Sequence, residues 1–276
     1  MKRDIVLVSC RDEEDIIGVF IQHYLAAGFD AVHVIDNGSM DSTVHQVKAL
    51  AAAGLPVELE IDPRDGYERH LTEWFRAAGE RYQPRWLFFL DCDEFILFPS
   101  HAKKYLDALP REVNRLRVRQ KEMYPAATRD PRPGAFLLSR RSEPLFNDTT
   151  KDIAQWHPGA VIFGGKHRID VPQAVTHEPD DFFIRHYKYR SPKQARRKEK
   201  NRVAVARLYS DEDLTRITAF GLQVSRAWIR YGQESLRKQR WKKSFSPKAK
   251  ASDDPLMADY AVTFLPSLIG PDLSAP

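Results

Sequence analysis

Cysteine is almost missing from this chain: Cys10 and Cys92 are the only two among 276 residues. Each lies beside an apolar run and they are far apart in sequence, which excludes a disulfide framework and points to a reducing compartment. Long hydrophobic runs are missing too. The longest near the centre, Trp86 to Leu90, falls far short of the roughly 18 apolar residues that cross a bilayer. At the N-terminus Met1-Lys-Arg-Asp leads into only six mostly apolar residues before Arg11-Asp-Glu-Glu-Asp15, too few for a signal peptide. The expectation is a soluble or peripherally attached protein. No glycine-rich phosphate loop follows the first apolar run, since Val8-Ser-Cys-Arg-Asp-Glu contains no glycine, which counts against a sugar-phosphate nucleotidyltransferase. No internal repeat and no recognised nucleic-acid motif is visible.

What is present can bury a sizeable core, as one large or two small domains, because 42% of the residues are hydrophobic. The net charge of +5 conceals an asymmetry. Arg185 to Lys250 holds 20 Lys or Arg against 5 Asp or Glu, a balance of +15, and the rest holds 23 against 33, a balance of −10. An acidic body therefore carries a basic segment suited to phosphate, an anionic polymer or a membrane surface.

Ile5 to Cys10 is a short β-branched run and reads as a buried strand. Asp12 then caps a helix whose first turn is acidic and whose apolar residues, Ile16, Ile17, Phe20, Tyr24 and Leu25, recur at helical spacing until Gly28. The same alternation continues with a strand at Ala31 to Asp36, a turn at Asn37-Gly38-Ser39, a helix from about Asp41 to Ala53, a strand at Val57 to Ile61, a helix at Tyr67 to Tyr82 and a strand at Trp86 to Leu90. Strands alternating with helices predict crossover units and a mostly parallel sheet covered on both faces. Beyond Phe98 the pattern loosens. A short helix at His101 to Leu109 and a strand at Val113 to Gln120 precede Tyr124 to Pro158, expected as loops around a few strands. Further strands are predicted at Val161 to Phe163, Lys166 to Asp170 and Phe182 to His186. Helices are predicted at Lys193 to Tyr209, Asp213 to Tyr231 and Glu234 to Lys243, before a poorly structured tail.

Ligands of such open sheets bind beyond the carboxyl ends of the strands. Here those ends carry Arg11 with Glu14, Asp36 with Asn37, Asp62 with Asp65, and Asp91 with Asp93. Asp91 and Asp93 close the run Trp86-Leu-Phe-Phe-Leu90. Asp is poor in strands and costly to bury unpaired, so two such acids at a strand end suit a hard divalent cation.

Four blocks, Val8-Ser-Cys-Arg-Asp-Glu-Glu14, Val34-Ile-Asp-Asn-Gly-Ser-Met-Asp-Ser-Thr43, Trp86 to Phe98 and Arg185-His-Tyr-Lys-Tyr-Arg-Ser191, resemble the bacterial family-two-like glycosyltransferases related to glycosyltransferase family 92. They come in that family's order and cover roughly residues 4 to 200. The resemblance implies a GT-A fold, a nucleotide-sugar donor and a Mn2+ or Mg2+ ion; the catalytic domain is expected over residues 1–190, and the basic helical extension expected over 191–276 is individual to this chain. By the same resemblance Asp91 and Asp93 match the Asp-x-Asp pair, the second on the metal and the first nearer the metal or the donor's ribose. His186 matches the histidine that completes the metal site. Arg11, Glu14, Asp36 and Asn37 match positions lining the nucleotide pocket, Asp65 and Arg69 lie in the equivalent of the loop and helix before the Asp-x-Asp strand, and Lys188, Arg190 and Lys198 are placed to meet the diphosphate or an anionic acceptor.

An inverting reaction needs a base on the acceptor hydroxyl. Asp148 and Asp152 lie in the expected interval, with Glu143 and Asp181 as rivals, and no motif chooses between inversion and retention. Little of Met123 to Pro158 aligns with the family, which leaves the acceptor open as a glycan or glycolipid. The expected setting is cytoplasmic, with a basic segment able to touch the inner membrane face and no nucleic-acid partner. The competing readings are a nucleotidyltransferase and a non-catalytic nucleic-acid or polyanion binder using Tyr209, Trp228, Tyr231 and Trp241 for stacking.

Overall fold

In the computed structural model residues 3–66, 69–124, 140–142, 149–163, 165–206 and 251–252 are described. The N-terminal half is the predicted alternation: β1 (Asp4–Cys10), α1 (Ile17–Ala26), β2 (Ala31–Asp36), α2 (Thr43–Ala52), β3 (Val57–Ile61), α3 (Leu71–Tyr82) and β4 (Trp86–Asp91). A tight turn at Cys92 and Asp93 leads into β5 (Glu94–Ile96), then α4 (Ala102–Ala108) and the long β6 (Arg115–Tyr124). Short strands follow, β7 (Arg140–Ser142), β8 (Thr150–Gln155), β9 (Val161–Phe163), β10 (Arg168–Asp170), β11 (Thr176–His177) and β12 (Ile184–His186), before α5 (Pro192–Ala206) and β13 (Ala251–Ser252).

The main sheet runs β13-β7-β6-β8-β4-β1-β2-β3. From β4 to β3 all pairings are parallel, with Val6 opposite both Val32 and Phe88. Parallel strands covered on both faces must be apolar on both, and alternate residues of β1 show it. Val6 and Val8 face one core with Phe20, Tyr24, Val34, Phe88 and Leu90, under α1 and α2. Ile5 and Leu7 face the other with Trp74, Phe75, Leu87 and Phe89, under α3. The expected mixed α/β fold with a mostly parallel sheet flanked by helices is therefore the observed one.

Two expectations change. Asp12 does not cap α1: its φ is 56° and the helix begins five residues later, because the acids at 12–15 turn back toward the loop after β2. β8 occupies a central position that the unpatterned stretch from 124 to 158 gave no sign of, running antiparallel to both β4 and β6. Gly79 marks how tightly α3 packs at this level, since a Cβ there would lie 1.6 Å from the Trp156 ring just after β8. The helices predicted at 213–231 and 234–243 lie outside the described residues, as does the predicted tail apart from Ala251–Ser252, which form β13. Among the described residues no helix is long and apolar enough to cross a membrane.

Candidate functional site

Strand order reverses at β1, which has β2, reached through α1, on one side and β4, reached from β3 through α3, on the other. The crevice beyond the carboxyl ends of β1 and β4 is where an open sheet of this kind takes a ligand. Two loops form its walls. The β1 loop is fixed by backbone N–H groups, Asp12 donating to Ser39 Oγ (2.8 Å), Glu13 to Thr43 Oγ1 (2.9 Å) and Glu14 to Asp41 Oδ2 (3.3 Å). The β4 loop carries Asp91, Asp93 and Glu94.

Asp91 and Asp93 turn to different partners. Asp91 meets Lys151 Nζ of β8 at 3.2 Å and the Lys166 ammonium. β4 and β8 pair only at Trp86 and Leu87, so they part toward the rim. Buried Lys151 fills the opening, bridging Asp91 and Glu94. Lys166 sits at a φ of 72° and donates to Ser9 Oγ at 2.9 Å. Burial would raise Asp91, but the two lysines hold it well below the ordinary carboxylate range. The same two acids keep Lys151 raised against its own burial.

Asp93 is 2% exposed and bears the Lys198 ammonium, with His186 Nε2 3.5 Å away. The other ring nitrogen of His186 is 2.9 Å from Glu122 Oε1. Burial would lower the ring's pKa, yet the carboxylates of Glu122 and Asp93 raise it to about 10. Asp93 is driven well down in turn: its burial is outweighed by Lys198 and His186.

Among the described residues no group of three or more His, Cys, Asp or Glu side chains is arranged to hold a metal ion. Asp91, expected as a ligand beside Asp93 and His186, is committed to its lysines. The remaining pair is a carboxylate with an imidazole, a donor set that would suit a divalent cation once the ring gives up its proton and Lys198 is displaced. Asp93 already carries a cationic partner, a carboxylate with an imidazole suits manganese, and Glu122 fixes the ring from behind.

α5 lies across the β1 loop and is clamped to it. Arg190, just before α5, pairs with Glu13 and with Asp15 at 2.9 Å. Arg197 reaches Glu14 at 3.4 Å, Asp41 at 3.1 Å and the Asp12 carbonyl. Asn201 Nδ2 donates to Asp12 Oδ2 at 2.9 Å. Glu14, Arg190 and Lys198, expected at the donor, thus meet on one rim with Asp93 and His186. Lys188 is nearby in sequence, its ammonium 5.4 Å from the Tyr189 ring centre.

The other expected residues divide. Arg11, Asp65 and Arg69 are exposed at the rim. Asp36 and Asn37 are buried and hold loops: Asp36 Oδ1 accepts from Gly38 N (3.1 Å) and Ser39 N (2.9 Å), while Asn37 Nδ2 donates to the carbonyls of Asp62 (2.7 Å) and Arg64 (2.8 Å). Asp152 is 1% exposed and bonded to Arg117 Nε at 2.8 Å, so it is not open to a substrate hydroxyl as a base would be. Asp148 and Glu143 lie outside the described residues. Asp181 is exposed and adds its charge to the burial that raises Tyr105, which puts it beside α4. Sequence reasoning passed over Lys151, Lys166, Glu13 and Glu122. Glu13 was absorbed into a helix start, and the lysines sit where no period gave a frame.

No match was found among curated proteins. Among solved structures the chain is similar to S. aureus TarS (17% identity, 47% of this chain and 24% of that chain, TM-score 0.36). It is also similar to the mannosyltransferase PcManGT from Pyrobaculum calidifontis in complex with GDP-Man and Mn2+ (14% identity, 98% and 81%, TM-score 0.42). A third is glucosyl-3-phosphoglycerate synthase from Mycobacterium tuberculosis in complex with Mn2+, UDP and glucosyl-3-phosphoglycerate (19% identity, 44% of each chain, TM-score 0.30). The chain covers only 24% and 38% of the length of the two TarS structures it matches first. Residues 5–115, which contain both loops of the β1 and β4 crevice, match the family model described as glycosyl transferase family 2.

Proposed function

We propose that this chain is a glycosyltransferase that moves a sugar from a nucleotide-sugar donor, UDP-linked, to a hydroxyl of a glycan or glycolipid. The observation that carries this reading is the meeting of buried Asp93 with His186 and Lys198 at the switch point of the sheet, inside and beside the stretch that matches glycosyl transferase family 2. The finer kinship with family 92 belongs to the same proposal, as do a catalytic domain over residues 1–190, a basic extension over 191–276, and a cytoplasmic setting that reaches the inner membrane face.

Breaking the bond from the anomeric carbon to phosphate builds negative charge on the departing nucleoside diphosphate. Mn2+ or Mg2+ held by Asp93 and His186 would supply Lewis-acid neutralisation of that charge. The chain adds its own cations. Lys198, released from Asp93, stands on the same rim to meet the diphosphate, with Lys188 close by, while Arg190, its side chain buried and paired with Glu13 and Asp15, holds the β1 loop beneath it. Glu122 keeps His186 oriented through the far ring nitrogen. Asp91, braced by Lys151 and Lys166, presents a fixed carboxylate toward the ribose. Arg11, Glu14, Asp65 and Arg69 line the outer rim for the nucleotide, and Asp36 with Asn37 shape it from beneath. With Asp152 committed to Arg117, Asp148 is the remaining acid of the expected pair for the acceptor's proton.

Thermal shift and calorimetry with UDP- and GDP-sugars, with and without manganese, test the reading. Stabilisation is expected to need nucleotide and metal together and to vanish in Asp93→Ala. Protection by oligonucleotides alone, indifferent to metal, would overturn it.

A further inference from the structure

Along α5, Lys193, Arg196, Arg197 and Lys200 follow one another at i, i+3, i+4 and i+7 and so form one stripe. Together with Pro192 and Asn201 they line an open cleft of about 560 Å3. Its inner wall is Arg197 and Asn201, both bonded to the β1 loop at Asp12. The cleft therefore borders the rim on which the donor is placed. Its outer cations differ from the four inner cations of that rim. Arg190, Lys198, Lys151 and Lys166 are each paired with a carboxylate, whereas Lys193, Arg196 and Lys200 are exposed and make no ion pair with a described residue. The first turn of α5 has no acid either, so the positive end of the helix dipole adds to the charge of Lys193 rather than being offset.

Charge that no described residue pairs, beside a crevice whose four inner cations are each matched, is a place for an anion. Its length says which kind. Lys193 and Lys200 are seven residues apart, about 10 Å at 1.5 Å per residue, more than a single carboxylate spans, and an arginine fork between them favours phosphoryl oxygens. The stripe faces away from Lys198, which lies on the opposite side of the helix and reaches Asp93. The stripe and the cation at the metal position therefore serve different anions.

We propose that this cleft is a phosphate subsite for the acceptor: the acceptor carries a diphosphate or phosphodiester near its receiving hydroxyl, and Lys193, Arg196 and Lys200 hold it. The role as an acceptor subsite rests on the transferase reading; the anion site itself does not. The probe is inorganic pyrophosphate, titrated calorimetrically into the full chain without metal, in wild type and in Lys193→Gln/Arg196→Gln/Lys200→Gln. The affinity is expected to fall at least tenfold in the triple variant and about threefold in Arg196→Gln alone, with a weaker salt dependence. Nucleotide binding in manganese is expected to be unchanged, which also certifies the fold of these surface variants. Equal pyrophosphate affinity in wild type and triple variant would overturn the proposal. So would loss of vesicle binding, with phosphatidylglycerol vesicles bound through these residues and pyrophosphate not bound at all, since the partner would then be a bilayer surface. If pyrophosphate binding behaves as expected but wild type binds no nucleotide in manganese, the anion site stands and the transferase reading falls.

Discussion

His186 stands between two carboxylates, and the consequences can be measured one side chain at a time. Its neighbours hold the ring protonated up to about pH 10. Removing one of them in Glu122→Gln is expected to lower that value by roughly a unit or more, since a unit corresponds to about 1.4 kcal/mol of lost interaction; an NMR titration of the ring reads it directly. Asp93→Asn is expected to act in the same direction. At this scale the sequence was informative where chemistry is confined to a motif. Asp93, His186 and Arg190 were named from short blocks and Lys198 from the basic run that follows the last of them, and the structure gathers them. Asp91 was named too, but no spacing rule says that it faces Lys151 and Lys166 rather than a metal. Those lysines come from segments more than 50 residues away, and Lys166 owes its direction to a left-handed backbone that nothing in Gly-Gly-Lys-His announces.

Among the elements, the apolar runs of β1, β2 and β4 were readable because strands buried on both faces must be apolar throughout. The crossover helices followed from their period. β8 was not readable. Its sequence, Thr-Lys-Asp-Ile-Ala-Gln, puts two charges into a central strand, and both are satisfied only by tertiary partners, Lys151 by Asp91 and Glu94, Asp152 by Arg117. α3 offers a sharper test of packing. The Trp156 ring rests where a side chain at Gly79 would begin, so Gly79→Ala gains intrinsic helix propensity yet must push the ring aside. Overpacking of this kind costs about 1–3 kcal/mol, more than the propensity gain of roughly 1 kcal/mol. A lowered midpoint in denaturant unfolding is the expected result.

For the whole molecule, acid is the condition to vary. His23 is 1% exposed with Nε2 3.0 Å from the Ile96 carbonyl. Burial, aided by the charge of Arg185 and opposed by that hydrogen bond, pushes its pKa down to about 3 from the ordinary 6.5. The folded protein therefore leaves the ring neutral where the unfolded chain takes up a proton. Stability is full above about pH 6.5 and is lost between 6.5 and about 3, at up to about 1.4 kcal/mol per pH unit for this one group. His167, pushed by its burial to about 4, adds in the same sense. Urea unfolding at pH 7.5, 6 and 5 is expected to show the decline, and His23→Gln to flatten it whatever its stability at neutral pH.

The central place of β8 bears on how the polypeptide is made. β1 to β4 can assemble while synthesis is under way, but the far border of β4 has no neighbour until residues 150–155 have left the ribosome. Until then a bare row of amide and carbonyl groups invites pairing with another nascent chain. Two lysines, Lys151 and Lys166, also remain unavailable to Asp91 and Glu94 during that interval. The acids of the crevice thus spend the first part of the molecule's life as mutual repellers, and only late-arriving segments turn them into a fixed framework.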